Sequence, residues 1–355
     1  MTFQLIKSSE IKYWCDKFSA QTDIAIDTEF SRVTTYWPKL ALIQLSDGID
    51  TVLIDPLEKG RDLSPLDDLL ANPDVVKIFH SCRQDLEVLN KVFGRLPVNL
   101  FDTQLAYTFL HPADEISLAR LLEEYAGVIL NKSKQNSNWM RRPLPRSQLE
   151  YAAKDVFYLT GVKQKLESEL IARNRLSWFY EEQHHLYIPE TFEPVDDYWQ
   201  RLAKRGNHKP QQLHYLKGLC DWREKMAIKL DYNRRRVLSD DVILKIAETS
   251  ELFVEDNEVV DDVLASLVST WSDLQQVPEV NWPKRLKHRA MTIKQQEKLE
   301  TIRLKLSEVA NNLGVSEKLL ASTADLKAFV RGEPDIPFLK GWRSQVLSQS
   351  GFFKI

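Results

Sequence analysis

The sequence predicts an α/β domain over its first half, a mixed central sheet flanked by helices, followed by an all-α remainder. Three observations carry that prediction. Short apolar runs of strand character, at residues 24–26, 40–45, 51–55 and 75–79, alternate with segments of helical period. Beyond about residue 160 no strand pattern survives, and the chain becomes rich in Leu, Lys and Glu. Within the first half, residues 131–146 carry Lys, Ser, Asn and Pro without a period, a loop of functional length between regular elements.

In order, the first strand is Asp23-Ile-Ala-Ile-Asp27-Thr-Glu29-Phe30. The runs 40–45 and 51–55 flank an Asp47-Gly48 turn and stop at Pro56, which predicts a hairpin and makes strands one to three an antiparallel meander. After the strand 75–79, Leu86, Leu89 and Phe93 recur at helical spacing up to Gly94. A short strand at 98–101 leads into a helix from about Thr103. Ser117 is placed to cap a helix over 118–125 that Gly127 ends. Ser147-x-x-Glu150 reads as a capping box opening a helix through Tyr151, Val156 and Leu159. Polarity rises at Gly206-Asn-His-Lys-Pro210, a linker or domain entry.

Composition bounds the function. With 355 residues and 43% hydrophobic content the chain can build two or three cored domains. A formal net charge of −3 excludes a uniformly basic surface, so attraction for a polyanion has to be local. Cys15, Cys82 and Cys220 lie far apart, without the spacing of a zinc site or a disulfide framework, as in a reducing cytoplasm. The N-terminal residues lack a signal peptide's apolar stretch, and no run approaches the ~20 apolar residues that span a bilayer. The expectation is a cytoplasmic monomer without a membrane partner.

Candidate chemistry clusters in the first half. Side chains alternate along a strand, so Asp27 and Glu29 face one way and Ile26 and Thr28 the other. Adjacent acids at the end of a buried strand repel unless a cation joins them, and hard carboxylate oxygens favour magnesium or manganese. Asp85 falls in the first turn of a helix just beyond a strand end, where α/β sheets gather their sites. Tyr151 and Asp155, four residues apart, share one helix face. Each has a plainer reading: Glu29 as the start of a solvated loop, Asp85 as an acid complementing a helix N-terminus, Asp155 as a surface acid beside a packed Tyr.

Taken together, Asp-x-Glu, then Asp, then Tyr-x-x-x-Asp resembles the tyrosine branch of the DEDD exonuclease superfamily, and within it the ribonuclease D family. The motifs stand here as Asp27-Thr-Glu29-Phe30, as His80 through Asp85 to Leu89, and as Tyr151-Ala-Ala-Lys-Asp155-Val156. Further likeness lies at Leu42-Ile-Gln-Leu45, Leu53-Ile-Asp-Pro56, Phe101-Asp-Thr-Gln104 and Trp139-Met-Arg-Arg142-Pro-Leu144. Asn138 departs from the family, which often has Asp there. The resemblance implies a ribonuclease H-like exonuclease domain over residues 1–195. It also implies a 3′ to 5′ exoribonuclease that uses two divalent cations, Mg2+ or Mn2+, and releases nucleoside 5′-monophosphates. Asp27, Glu29, Asp85 and Asp155 would be the metal ligands, with Asp27 bridging both ions and Asp85 acting on the second. Tyr151 would orient the attacking water. His80 is set aside as a metal ligand or base, since the tyrosine takes the place where the sister branch uses His.

The helical half resembles the HRDC module. Leu213, Leu216, Leu219, Trp222 and Arg223, with Arg236-Val-Leu-Ser-Asp240, carry the likeness for a domain over 208–288, and Leu313-Gly-Val315 with Gly341-Trp-Arg343 for a weaker second copy over 292–351. From Gln200 to Arg236 there are 11 Lys plus Arg against 3 acids, whereas residues 251–262 hold 6 acids and no base. The partner implied is RNA, in particular tRNA precursors and other structured RNAs with 3′ tails. Candidate contacts are Trp37 as a base-stacking platform and Arg141, Arg142, Arg234, Arg235 and Arg236 on phosphates. A second basic stretch runs from Trp282 to Arg289. The residues alone do not separate RNA from DNA. A DNA-directed exonuclease of the same superfamily shares every catalytic residue, and a non-catalytic RNA-binding protein on this fold is the other reading.

Overall fold

The computed structural model describes residues 1–130, 137–193, 198–253, 261–284 and 291–353, without the side chains of Asp261 and Asp262. Among the described residues six strands form one mixed sheet: β1 (Gln4–Leu5), β2 (Asp23–Ser31), β3 (Lys39–Ser46), β4 (Thr51–Ile54), β5 (Val76–Phe79) and β6 (Leu100–Asp102), in the order β1-β4-β3-β2-β5-β6. The hairpin expected at Asp47-Gly48 is present, with Ile43 opposite Ile54 and Ser46 opposite Thr51. The Asp47 Oδ1 accepts the N–H groups of Ile49 at 2.9 Å and Asp50 at 2.8 Å. Gly48 has φ +86°, and a Cβ there would lie 2.4 Å from the Thr160 Oγ1, so both backbone and neighbour demand glycine. The two-residue β1, parallel to β4, went unread because it is too short to show a period.

β2 lies between β3 and β5 and pairs parallel with β5, Asp23 opposite Val76 and Ala25 opposite Ile78. β5 in turn pairs parallel with β6. Ile24, Ala25 and Ile26 are fully buried, as expected of an unbroken apolar run in a central strand. Around the sheet stand α1 (Ile11–Ser19), α2 (Ser64–Ala71), α3 (Arg83–Phe93), α4 (Thr103–Thr108), α5 (Leu118–Ala126), α6 (Arg146–Phe157), α7 (Leu159–Ala172) and α8 (Leu176–Leu186). Gly94 and Gly127 end α3 and α5 in the left-handed conformation. Ser117 sits at the N-cap of α5, but its side chain caps nothing.

One expected boundary is corrected. α6 begins at Arg146, with Pro145 extended at the N-cap, so Ser147 lies inside the helix and the capping box does not form. Glu150 instead pairs with Arg146 at 2.9 Å, one turn away.

The remaining helices are α9 (Tyr198–Ala203), α10 (Pro210–Leu230), α11 (Arg234–Val237), α12 (Asp240–Thr249), α13 (Asp261–Gln275), α14 (Ile293–Leu313), α15 (Glu317–Leu320), α16 (Thr323–Arg331) and α17 (Gly341–Gln349). Where the sequence suggests three successive domains, the chain forms two compact units. One comprises Met1–Phe30, Leu40–Thr191 and Ala290–Ile355, the other Ser31–Lys39 and Phe192–Arg289. In the first unit, Leu299, Ile302, Leu306, Phe338 and Trp342 share a core with Ala25, Ile78 and Phe101 of the sheet. Arg343 pairs with Glu182 of α8, and Arg175 donates to the Leu313 carbonyl at 2.5 Å. In the second unit Leu213, Leu216, Leu219 and Trp222 of α10 pack with Ile243, Ile246, Val263 and Trp271. Tyr36 joins that core, its hydroxyl bonded to Glu224, while Asn233 donates to the Val33 carbonyl at 2.6 Å.

Candidate active site

β2 and α6 deliver the acids. Asp27, Glu29 and Asp155 each present a carboxylate oxygen, and these oxygens lie within 4.8 Å of one another. At that separation two full charges repel by roughly 3 kcal/mol even at an effective dielectric of about 20. Burial first, and the neighbouring charge of Asp155 second, push Asp27 up to about 8. Glu29 is pushed up to about 10 by burial and then by Asp27, Asp155 and Asp85. Asp155, raised by burial to about 7, is partly relieved by the Tyr151 hydroxyl. Its Oδ1 is buried without a hydrogen-bond partner. A buried acceptor without a donor, in a group of mutually repelling carboxylates, fits a hard divalent cation.

Tyr151 sits one helical turn before Asp155. Burial, then the charges of Asp155, Glu29 and Asp27, raise its pKa further, so the phenol keeps its proton at neutral pH. Asp85 is placed differently from the other three acids. On the first turn of α3, its Oδ1 accepts the Thr28 N–H at 3.0 Å and the Thr28 hydroxyl. Burial and the Asp27 charge still raise its pKa. The structure therefore brings Asp27, Glu29, Tyr151 and Asp155 together and ties Asp85 to the residue between the two strand acids. His80 is a hydrogen-bonded, half-buried residue, its Nδ1 3.0 Å from the Thr103 hydroxyl and its Nε2 3.0 Å from the Ile116 carbonyl.

The candidate RNA contacts fare unevenly. Arg142 is not a free phosphate contact: it grips Asp55 through Nε at 2.6 Å and Nη2 at 2.8 Å. It also donates to the carbonyls of Trp139 and Ala41, both at 2.6 Å. That pins the loop before α6, where Trp139 and Leu144 pack with Ala152 and Ala153. Arg141 beside it is exposed. Trp37 packs half-buried on the helical core of the second unit, edge-on to Tyr36. Arg234 is likewise corrected, since both Nε and Nη2 lie 2.6 Å from Glu224. Arg235 and Arg236 are exposed, the latter 3.8 Å over the Tyr232 ring. Arg205 and Arg223 both reach Asp240, which lies just outside the basic stretch and lowers its effective charge. Of the second basic stretch, Arg285, Lys287, His288 and Arg289 lie outside the described residues.

Thr28 and Asp102 escaped the sequence reading. Thr28 is the unremarked middle of Asp-x-Glu, and only the fold shows it holding Asp85. Asp102 carried a legible signal, an acid between a strand and a helix that caps α4.

Comparison with known proteins bears on the family and the overall fold. A family model described as 3′-5′ exonuclease matches residues 4–171. A ribonuclease D of Granulibacter bethesdensis is 34% identical over 97% of this chain and 90% of its own length. One from Gluconacetobacter diazotrophicus is 34% identical over 91% of this chain and 85% of its own. Among solved structures, Escherichia coli RNase D, described as an exoribonuclease involved in structured RNA processing, superposes with a TM-score of 0.87 at 30% identity. That match covers 100% of this chain and 99% of the other.

Proposed function

The chain belongs to the ribonuclease D family and is a 3′ to 5′ exoribonuclease, and from that premise we propose that Asp27, Glu29, Asp85 and Asp155 hold two divalent cations, magnesium or manganese, with Tyr151 beside them. The observation that carries this assignment is the unpartnered Oδ1 of Asp155, buried in a cluster of carboxylates held above their ordinary pKa. Four carboxylates carry four negative charges, which two divalent cations match in number. When bound, such a pair supplies Lewis acidity, making a water more acidic and offsetting charge that gathers on the phosphate.

In the reaction, a water oxygen bonds to the phosphorus of the last nucleotide and the bond to the preceding 3′ oxygen breaks. A nucleoside 5′-monophosphate leaves, and the shortened RNA gains a new 3′ hydroxyl. Tyr151, protonated, orients the water by hydrogen bonding and does not act as the base. Asp85 holds Thr28 and with it the spacing of Asp27 and Glu29. The substrates proposed are structured RNAs with 3′ tails, tRNA precursors among them, in keeping with the description of the E. coli relative. Arg141, Arg235 and Arg236 are the exposed arginines offered to phosphates.

A 5′-labelled RNA with a free or a blocked 3′ end tests this, incubated with chelator, Mg2+ or Mn2+ beside a matched DNA. The expected result is a ladder of products shortened from the 3′ end, requiring both the metal and the free end, with DNA degraded more slowly. Internal cleavage of the blocked RNA, or undiminished activity in chelator, would contradict the assignment.

A further inference from the structure

The Phe101-Asp-Thr-Gln104 stretch has no part in the chemistry above, yet it holds the most heavily bonded acid near the site. Asp102 is 1% exposed at the end of β6. Its Oδ1 accepts the N–H groups of Ser81 at 2.9 Å, Gln104 at 2.9 Å and Leu105 at 3.4 Å. The Oδ2 accepts the Cys82 N–H at 3.1 Å and the Tyr187 hydroxyl at 2.6 Å. The acid therefore caps two helices at once. Gln104 and Leu105 open α4, and Ser81 and Cys82 are the last residues before α3, whose first turn carries Asp85. Ser81 has φ +58°, a left-handed conformation that a non-glycine residue holds only with support.

We propose that Asp102, steadied by Tyr187, is a positioning residue that fixes the entry of α3 and so places Asp85 against Thr28 beside the metal-binding acids. The chain of contacts is continuous. Tyr187 follows α8 and donates to Asp102, Asp102 receives the N–H groups of Ser81 and Cys82, and Asp85, three residues on, receives the N–H and hydroxyl of Thr28. Thr28 stands between Asp27 and Glu29, so an error at Ser81 or Cys82 reaches the spacing of the acids. Burying an acid is tolerable here because five donors surround it. Replacing it by an amide turns an N–H toward donors and leaves at least one of them unpaired.

The proposal rests on the metal-site assignment above, and the experiment separates the two. Mn2+ binding to the full chain is followed by the electron paramagnetic resonance signal of free Mn2+, alongside kcat and KM on one RNA. Wild type, Asp27→Asn, Asp102→Asn and Tyr187→Phe are compared at a temperature where circular dichroism shows each folded. For Asp102→Asn the expected result is Mn2+ affinity and kcat lower by about 10 to 100-fold with KM for RNA within about twofold. Tyr187→Phe should move the same quantities in the same direction by less. If Asp102→Asn melts earlier but keeps wild-type Mn2+ affinity and kcat, Asp102 is only structural and the proposal falls. If Asp102→Asn does not fold, Tyr187→Phe decides, and wild-type affinity and kcat in that variant overturn it. Should Asp27→Asn bind Mn2+ as wild type does, the metal-site assignment fails first and takes this proposal with it.

Discussion

Two acidic sites, one at the end of β6 and the other where β2 faces α6, are built in opposite ways. Asp102 is met by five hydrogen-bond donors, whereas Asp155 keeps an oxygen with none, amid two further carboxylates. Both have the same desolvation problem. One is solved within the chain, and the other is left for a partner of opposite charge. A buried acid already satisfied by N–H groups holds structure, while a buried acid without them is poised for a ligand.

The largest effect should come from removing a charge at the unsatisfied site. Asp27→Asn or Asp155→Asn is expected to abolish 3′-end hydrolysis while leaving metal-free thermal stability equal or higher, because an amide has no carboxylate that must be either desolvated as an ion or kept protonated in that cluster. Assays at saturating Mg2+ and Mn2+ with matched melting curves check it, and near-normal turnover would erase the contrast with Asp102. Tyr151→Phe keeps the ring and deletes the hydroxyl, so kcat should fall by about 10 to 1,000-fold with RNA affinity nearly unchanged. Unchanged kcat would make Tyr151 a packing residue.

Acidity gives a further discriminator. Asp155, Asp27 and Glu29 are held up at about 7, about 8 and about 10, above the unfolded range near 4, so folding takes up protons. Their contribution to stability is fully present below about pH 4 and is lost as pH rises through those values. In chelator the melting temperature should therefore drop from pH 6 to pH 9, less steeply in Asp27→Asn, and saturating metal should remove most of the slope. A metal-free melting temperature that rises over this range would contradict the charge assignment. The smallest effect is expected in the second unit. Charge reversal at Arg235 and Arg236 should weaken RNA binding and flatten its salt dependence by about 0.7 per lost contact, with kcat unaltered. Equal salt slopes in variant and wild type would remove both arginines from the RNA surface.

Much of this was legible in the sequence, for identifiable reasons. Strand alternation placed Asp27 and Glu29 on one side, and helical spacing placed Tyr151 beside Asp155. These are local rules that the fold cannot easily override. Arg142 and Arg234 misled because a cation looks the same in sequence whether it faces a phosphate or an acid on another element of the chain. Asp55 is 87 residues from Arg142. The split of the chain was hidden for a related reason, since a helix does not announce which core its apolar stripe joins. Leu299, Leu306, Phe338 and Trp342 complete the core around Ala25, Ile78 and Phe101. Truncating a large buried side chain costs about 2–5 kcal/mol against a total stability of about 5–15. A chain ended near residue 200 would forfeit several such side chains at once and is not expected to fold, so the helical region is better probed by point substitutions.

The most direct test of the central claim is a calorimetric titration of the chelator-stripped full chain with Mg2+ at pH 7.5, in two buffers of different ionisation enthalpy, for wild type and Asp155→Asn. The account predicts that the wild type binds Mg2+ and releases protons, because the carboxylates that receive the metal hold protons in its absence. It also predicts that Asp155→Asn loses most of that affinity while remaining folded. Equal Mg2+ affinity in the two proteins would contradict it.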